Sequence, residues 1–121
     1  MLLVALIGST LQAQADNYVD PKLSLSGDRF DTGPESGRRL LVGTISNLGN
    51  GAVDIVLRIN LYGPSHVFLR NIQRRRNDID SGGRWDFRIP VNDPQVQEYE
   101  IKSVRGIWHN RGDRARRQRF S

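Results

Sequence analysis

The sequence predicts an all-β fold, an antiparallel β-sandwich of about six to seven strands. Three observations point there. Apolar and polar residues alternate with a period of two through the middle of the chain. Clusters of Gly, Asn, Asp and Pro punctuate that pattern at short intervals. No segment carries a convincing 3.6-residue period. The strands are too few for a lipocalin-type barrel, which needs about eight, so an immunoglobulin-like sandwich is expected.

Taken in order, Lys22 to Ser26 alternates and reads as a first strand. Asp31 to Gly37 reads as a loop. Arg39 to Ser46 is rich in aliphatic and β-branched residues and reads as a strand. Asn47-Leu-Gly-Asn-Gly51 follows, with residues that accept positive φ, and predicts a β-hairpin into the next strand. That next strand is the clearest of all. Val53, Ile55, Leu57, Ile59 and Leu61 point one way, while Asp54, Arg58 and Asn60 point the other. Pro64 ends it, having no N–H for a ladder. Val67 to Arg74 is a further strand, with Arg75 to Asp78 exposed after it and a turn at Asp80 to Gly83. Trp85, Phe87 and Ile89 alternate inward with Asp86 and Arg88 outward, and Pro90 marks a strand end or a sheet edge. Tyr99 to Trp108 closes the set, with a change of phase near Ser103 that suggests a bulge.

At 121 residues the chain has room for one domain, residues 16–110. Residues 1–15 read as a signal peptide. An apolar opening leads to a small-residue Ala13-x-Ala15 site, although no Lys or Arg precedes the apolar run. The expected location is therefore outside the cytoplasm, periplasmic or extracellular. Residues 111–121 hold five Arg and one Asp and read as a disordered Arg-rich tail. The net charge of +5 is thus concentrated at that end. Zero Cys excludes disulfides, a thiolate nucleophile and a Cys-ligated zinc site. No apolar run approaches the roughly 20 residues of a membrane-spanning helix.

Val42-Gly43-Thr44-Ile45-Ser46-Asn47-Leu48-Gly49 resembles the V-x-G-x-V-x-N-x-G opening of FxLYD-type domains. The strand ending Ile59-Asn60-Leu61-Tyr62-Gly63 resembles the motif that names them, and Ile79 to Phe87 is similar to their L-x-P-G-E-x-x-x-F turn and strand. The likeness covers about residues 39–107. Ile59 replaces Phe, Gly63 replaces Asp, Ser81 replaces Pro, and Gly82-Gly83 replaces Gly-Glu. The resemblance implies a small immunoglobulin-like sandwich of an exported or surface-attached prokaryotic protein, with no catalytic residues to carry over.

The chemistry-bearing residues are sparse. His66 and His109 have no second ligand at metal spacing in the sequence. Asp78-x-Asp80-x-Gly82 is a weak echo of a calcium loop whose third acidic position is Gly82 and whose twelfth is Ile89. Glu98 and Glu100 share a strand face, without a sign of a pocket. No metal, cofactor or catalytic residue is expected, and the chain does not read as an enzyme. The contact candidates are basic: Arg70, Arg74, Arg75 and Arg76, in which Arg74, Arg76 and Arg70 align if extended, together with Arg114, Arg116, Arg117 and Arg119 of the tail. Phe68 and Trp85 fit core alternation better than a stacking role. The expectation is a non-catalytic exported binding or accessory module of the cell envelope. Its partner would be an anionic polymer or another envelope protein. The alternative is a cytoplasmic nucleic-acid-binding β-protein.

Overall fold

The computed structural model describes residues 17–32 and 39–109. The signal-peptide reading, the tail and residues 33–37 of the expected Asp31–Gly37 loop lie outside those residues, while Asp31 and Thr32 are strand residues and not loop, paired with Leu40 and Arg39. Seven strands are present: β1 (Tyr18–Val19), β2 (Leu23–Thr32), β3 (Arg39–Asn47), β4 (Val53–Tyr62), β5 (Phe68–Ile79), β6 (Arg84–Pro90) and β7 (Glu98–Trp108). A short 3-10 turn at Pro64–His66 joins β4 to β5. The strands form two sheets, ordered β1-β7-β4-β5 and β2-β3-β6. A four-plus-three sandwich is the immunoglobulin-like layering that the alternation predicts.

Leu41, Ile45, Val53, Ile55, Leu57, Ile59, Leu61 and Val104 are fully buried between the sheets, with Phe87 and Ile89 nearly so. Each comes from an alternating strand, so one face of each sheet supplies the core. Pro90 ends β6, and β6 is an edge strand, where a missing N–H costs the ladder nothing.

Four further expectations need correction. β3 and β4 form no hairpin: β3 pairs with β2 and β6, whereas β4 pairs with β5 and β7. Asn47–Gly51 is a crossover between layers. The buried Asn47 amide holds it, donating to Gly51 O (2.8 Å) and Ile79 O (2.9 Å) while its Oδ1 accepts from Gly49 N–H (2.8 Å). Arg75 to Asp78 belong to β5, because Val56 and Ile55 pair with Arg75 and Arg76. The sheets are not wholly antiparallel, since β1 lies parallel to β7. Phe68 is not a core residue: the register slips one residue between Leu61 and Tyr62, and Phe68 comes to lie opposite Tyr62, 54% exposed. Trp85 is buried as expected.

The bulge expected near Ser103 is present. The β4–β7 register shifts between Arg58 and Ile59, leaving Lys102 as the extra residue. Gly43 answers a close approach: Phe87 lies directly across the ladder, and a Cβ on Gly43 would sit 2.5 Å from its ring. Asp20 fastens the first strand to the last, accepting from Trp108 Nε1–H (2.9 Å) and Lys22 N–H (2.9 Å). The Tyr99 hydroxyl donates to Asp28 Oδ2 (2.7 Å), and burial together with that carboxylate pushes the phenol up to about 12.

Candidate binding surfaces

Three polar arrangements stand out, and all are built around β4 and β5. The first is the edge stripe. β5 has β4 on one side and no strand on the other. Arg70, Arg74 and Arg76 pair with Leu61, Leu57 and Ile55, so all three share the inward side of the sheet, in line with the expected alignment. Their side chains stay exposed at the sheet edge, and only Ile72 and Ile79 of this strand are buried. Arg70 pairs with Asp93 (3.2 Å), and Arg74 donates to Gln73 O (3.0 Å). Arg75 does not join them. It points to the opposite side and meets Asp54 (3.1 Å) and Asn77 (2.7 Å). Arg114, Arg116, Arg117 and Arg119 lie outside the described residues.

The second is a cluster that sequence spacing does not reveal. His109 Nε2 is 2.9 Å from Asp54 Oδ1, and its Nδ1 is 3.3 Å from Asp78 Oδ1. Asp54 also accepts from Asp78 N–H (2.9 Å) and from Arg75. A bulge between Val53 and Ile55 brings these groups together, with Asp78 at φ 60°. Burial alone would raise the Asp54 carboxyl. The Asp78 N–H, the Arg75 guanidinium and His109 outweigh it and hold the group below its ordinary 3.8. Asp54, Asp78 and His109 offer one donor atom each within 4.8 Å, the donor set among the described residues that could hold a cation. Arg75 already occupies the other Asp54 oxygen, so the same atoms form a closed clamp between β4, the end of β5 and the residue after β7. Asp80 takes no part in this group, so the calcium-like spacing is not the organising feature.

The third is a groove on the outer face of the larger sheet. It measures about 390 Å³ and is lined by Arg58, Asn60, Phe68, Asn71, Lys102, Ser103 and Arg105. Arg58 and Asn60 are outward residues of β4, with Asn71 opposite Asn60 and Ser103 opposite Arg58. Arg58 was legible as an outward charge in an alternating strand. The faces of Lys102 and Arg105 were not, since they depend on where the bulge falls.

Glu98 and Glu100 do share this outer face, opposite Tyr62 and Asn60. Both are engaged: Glu98 with His66 (2.7 Å), Glu100 with the Tyr62 hydroxyl (2.8 Å) and Lys102 (3.9 Å). His66 also stacks on Tyr62, ring centroids 4.2 Å apart.

Among the described residues no helix is long and apolar enough to cross a membrane. No family model matches the chain, and no curated protein matches it. Among solved structures, it is similar to the crystal structure of a DUF1425 family member from Shewanella sp. pv-4. That likeness has a TM-score of 0.55 and 12% identity, and covers 73% of this chain and 81% of the other. At that identity it establishes a shared sandwich fold.

Proposed function

We propose that the protein is an exported, non-catalytic binding module of the cell envelope, an FxLYD-type sandwich that meets anionic surface polymers through basic side chains. The observation that carries this reading is the alignment of Arg70, Arg74 and Arg76 along one side of a free edge strand. Three guanidiniums along an extended strand match a chain of repeated negative charges. The Arg-rich segment 111–121 adds charge of the same sign, and the apolar opening with its Ala13-x-Ala15 site supports export. The FxLYD-like positions fit a structural motif: Gly43 admits Phe87, Asn47 ties the crossover, and Gly49 lies where a Cβ would meet Trp108 at 2.7 Å.

The test is binding of a sulfated polysaccharide to the full-length chain across a salt series. Affinity falls as salt rises, because bound cations release counterions from the polymer. A triple variant, Arg70→Gln with Arg74→Gln and Arg76→Gln, gives weaker binding and a shallower salt dependence. Removal of residues 111–121 weakens binding further. Unchanged affinity in the triple variant refutes the edge stripe, and unchanged affinity after truncation refutes a role for the tail.

A further inference from the structure

We infer that the outer-face groove is a separate ligand site, built for one acidic sugar: a pyranose carrying a carboxylate or a sulfate ester. It does not rest on the edge stripe, which occupies the other side of the same sheet.

Its charge is the first reason. Arg58, Lys102 and Arg105 converge on the groove, and no carboxylate lines it. Glu100, which lies beside the groove without lining it, accepts from the Tyr62 hydroxyl (2.8 Å) and faces Lys102 at 3.9 Å. Arg105 is stacked on Tyr18, 4.8 Å from the ring centroid, which fixes its guanidinium plane. Arg58 is exposed, and its side chain makes no hydrogen bond or ion pair with any described residue. A planar guanidinium with free donors in a one-signed concavity is an oxyanion receptor.

The walls are the second reason. Asn60 and Asn71 are bonded to each other, Asn71 Nδ2 donating to Asn60 Oδ1 at 2.7 Å, so their amides are held in place. They present fixed polar groups to hydroxyls. Phe68 closes the other side, 54% exposed and braced edge-on by Tyr62 at 6.0 Å. A ring body packs on such a face and a simple inorganic anion does not. The volume sits at the lower end of the range for small-molecule sites.

The third reason is a contrast within the molecule. The corresponding groove of the smaller sheet, about 250 Å³, is lined by Arg29 and Arg88 but also by Asp31 and Asp86. Its charges cancel. The pleat alone therefore makes a groove on either face, and only one of them has a net positive lining.

The full-length chain is titrated with a uronate-containing disaccharide, a sulfated disaccharide, neutral cellobiose and sodium sulfate, followed by amide chemical shifts and calorimetry. Either acidic disaccharide shifts the amides of Arg58, Lys102 and Arg105, and the stronger of the two identifies the oxyanion. Arg58→Gln with Lys102→Gln lowers its affinity at least about tenfold, as expected for two lost charge-assisted hydrogen bonds. Phe68→Ala weakens the disaccharide but not sulfate. Arg74→Gln with Arg76→Gln leaves disaccharide binding within about twofold, which separates this site from polymer capture at the edge. Unchanged thermal melting of the groove variants shows that they fold. The inference is overturned if neither acidic disaccharide binds, if cellobiose binds equally well, if sulfate binds as tightly as the disaccharides, or if the Arg58/Lys102 variant binds like the parent.

Discussion

β4 and β5 are neighbours in one sheet, of 10 and 12 residues, and only β4 alternates in burial along its length. At matched positions they carry opposite chemistry. Leu57 is fully buried, and Arg74, paired with it, is exposed. Leu61 and Ile55 are likewise paired with Arg70 and Arg76, while only Ile59 and Val53 meet aliphatic partners, Ile72 and Ile79. The backbone is the same and the facing direction is the same. The difference is burial: the core closes over β4 along its inward side, whereas β5 enters it only at Ile72 and Ile79. Facing the core side of a sheet therefore does not mean entering the core. At a sheet edge that side becomes a place to display charge and to discourage strand-to-strand association.

The largest effect should come from the covered strand. Leu57→Ala removes a fully buried side chain from the sandwich centre, and a loss of about 3–4 kcal/mol is expected from transfer plus cavity terms. Urea unfolding measures it through the midpoint at constant slope. A loss below about 1 kcal/mol would place Leu57 in the same class as its β5 partner and erase the contrast.

Asn47→Ala should follow, at about 2–3 kcal/mol. It strands the Ile79 and Gly51 carbonyls and the Gly49 N–H beside a buried site. Because Ile79 ends β5, hydrogen exchange should speed up most at the β3–β4 crossover and the last turn of β5. Uniform acceleration across both sheets would mean that Asn47 supports the whole fold and not the junction at which β4 and β5 begin and end.

These two residues also show what the sequence makes legible. Leu57 was readable because its inward direction follows from local alternation in Val53–Leu61. The role of Asn47 was not. Asn-Leu-Gly-Asn-Gly satisfies the chemistry of a hairpin turn and of a layer crossover equally well, and bonds to Ile79, 32 residues away, decide between them. The candidate surfaces divide the same way. The alignment of Arg70, Arg74 and Arg76 needs only a period of two. Phe68, Lys102 and the Asp54–Asp78–His109 group each depend on a single extra residue in a ladder, and one residue of slip exchanges the faces of a strand. The bulge near Ser103 showed as a change of phase, whereas the slips at Val53/Ile55 and Leu61/Tyr62 left no such trace, so the groove was hidden although Arg58 was already visible as an outward charge.

A smaller effect tests the seam between the two strands. Asp54 reaches from β4 to the Asp78 N–H and Arg75 of β5. Its folded pKa is depressed below 3.8, so its ionised form binds better in the folded state. That contribution is complete above the unfolded value and is lost as pH falls through the folded one. Asp54→Asn should cost about 1 kcal/mol at neutral pH and flatten the acid limb of the stability curve. A variant that keeps the parent's acid limb would assign that limb to other carboxylates.

The smallest expected change in stability belongs to the exposed stretch of β5. Arg74→Ala should shift unfolding by less than about 0.5 kcal/mol, because no buried contact is lost. The informative variant is Arg74→Leu with Arg76→Leu, which gives β5 the residue type that β4 carries at the paired positions. If burial is what separates the strands, leucine here finds no core to enter. It leaves an apolar, unpaired edge, a template for pairing with another chain. The double variant should then fold with near-parental stability and self-associate with rising concentration, as read by light scattering or sedimentation. A variant that stays monomeric would break the comparison, because the free edge of β5 would then be guarded by its twist and bulges and not by its arginines.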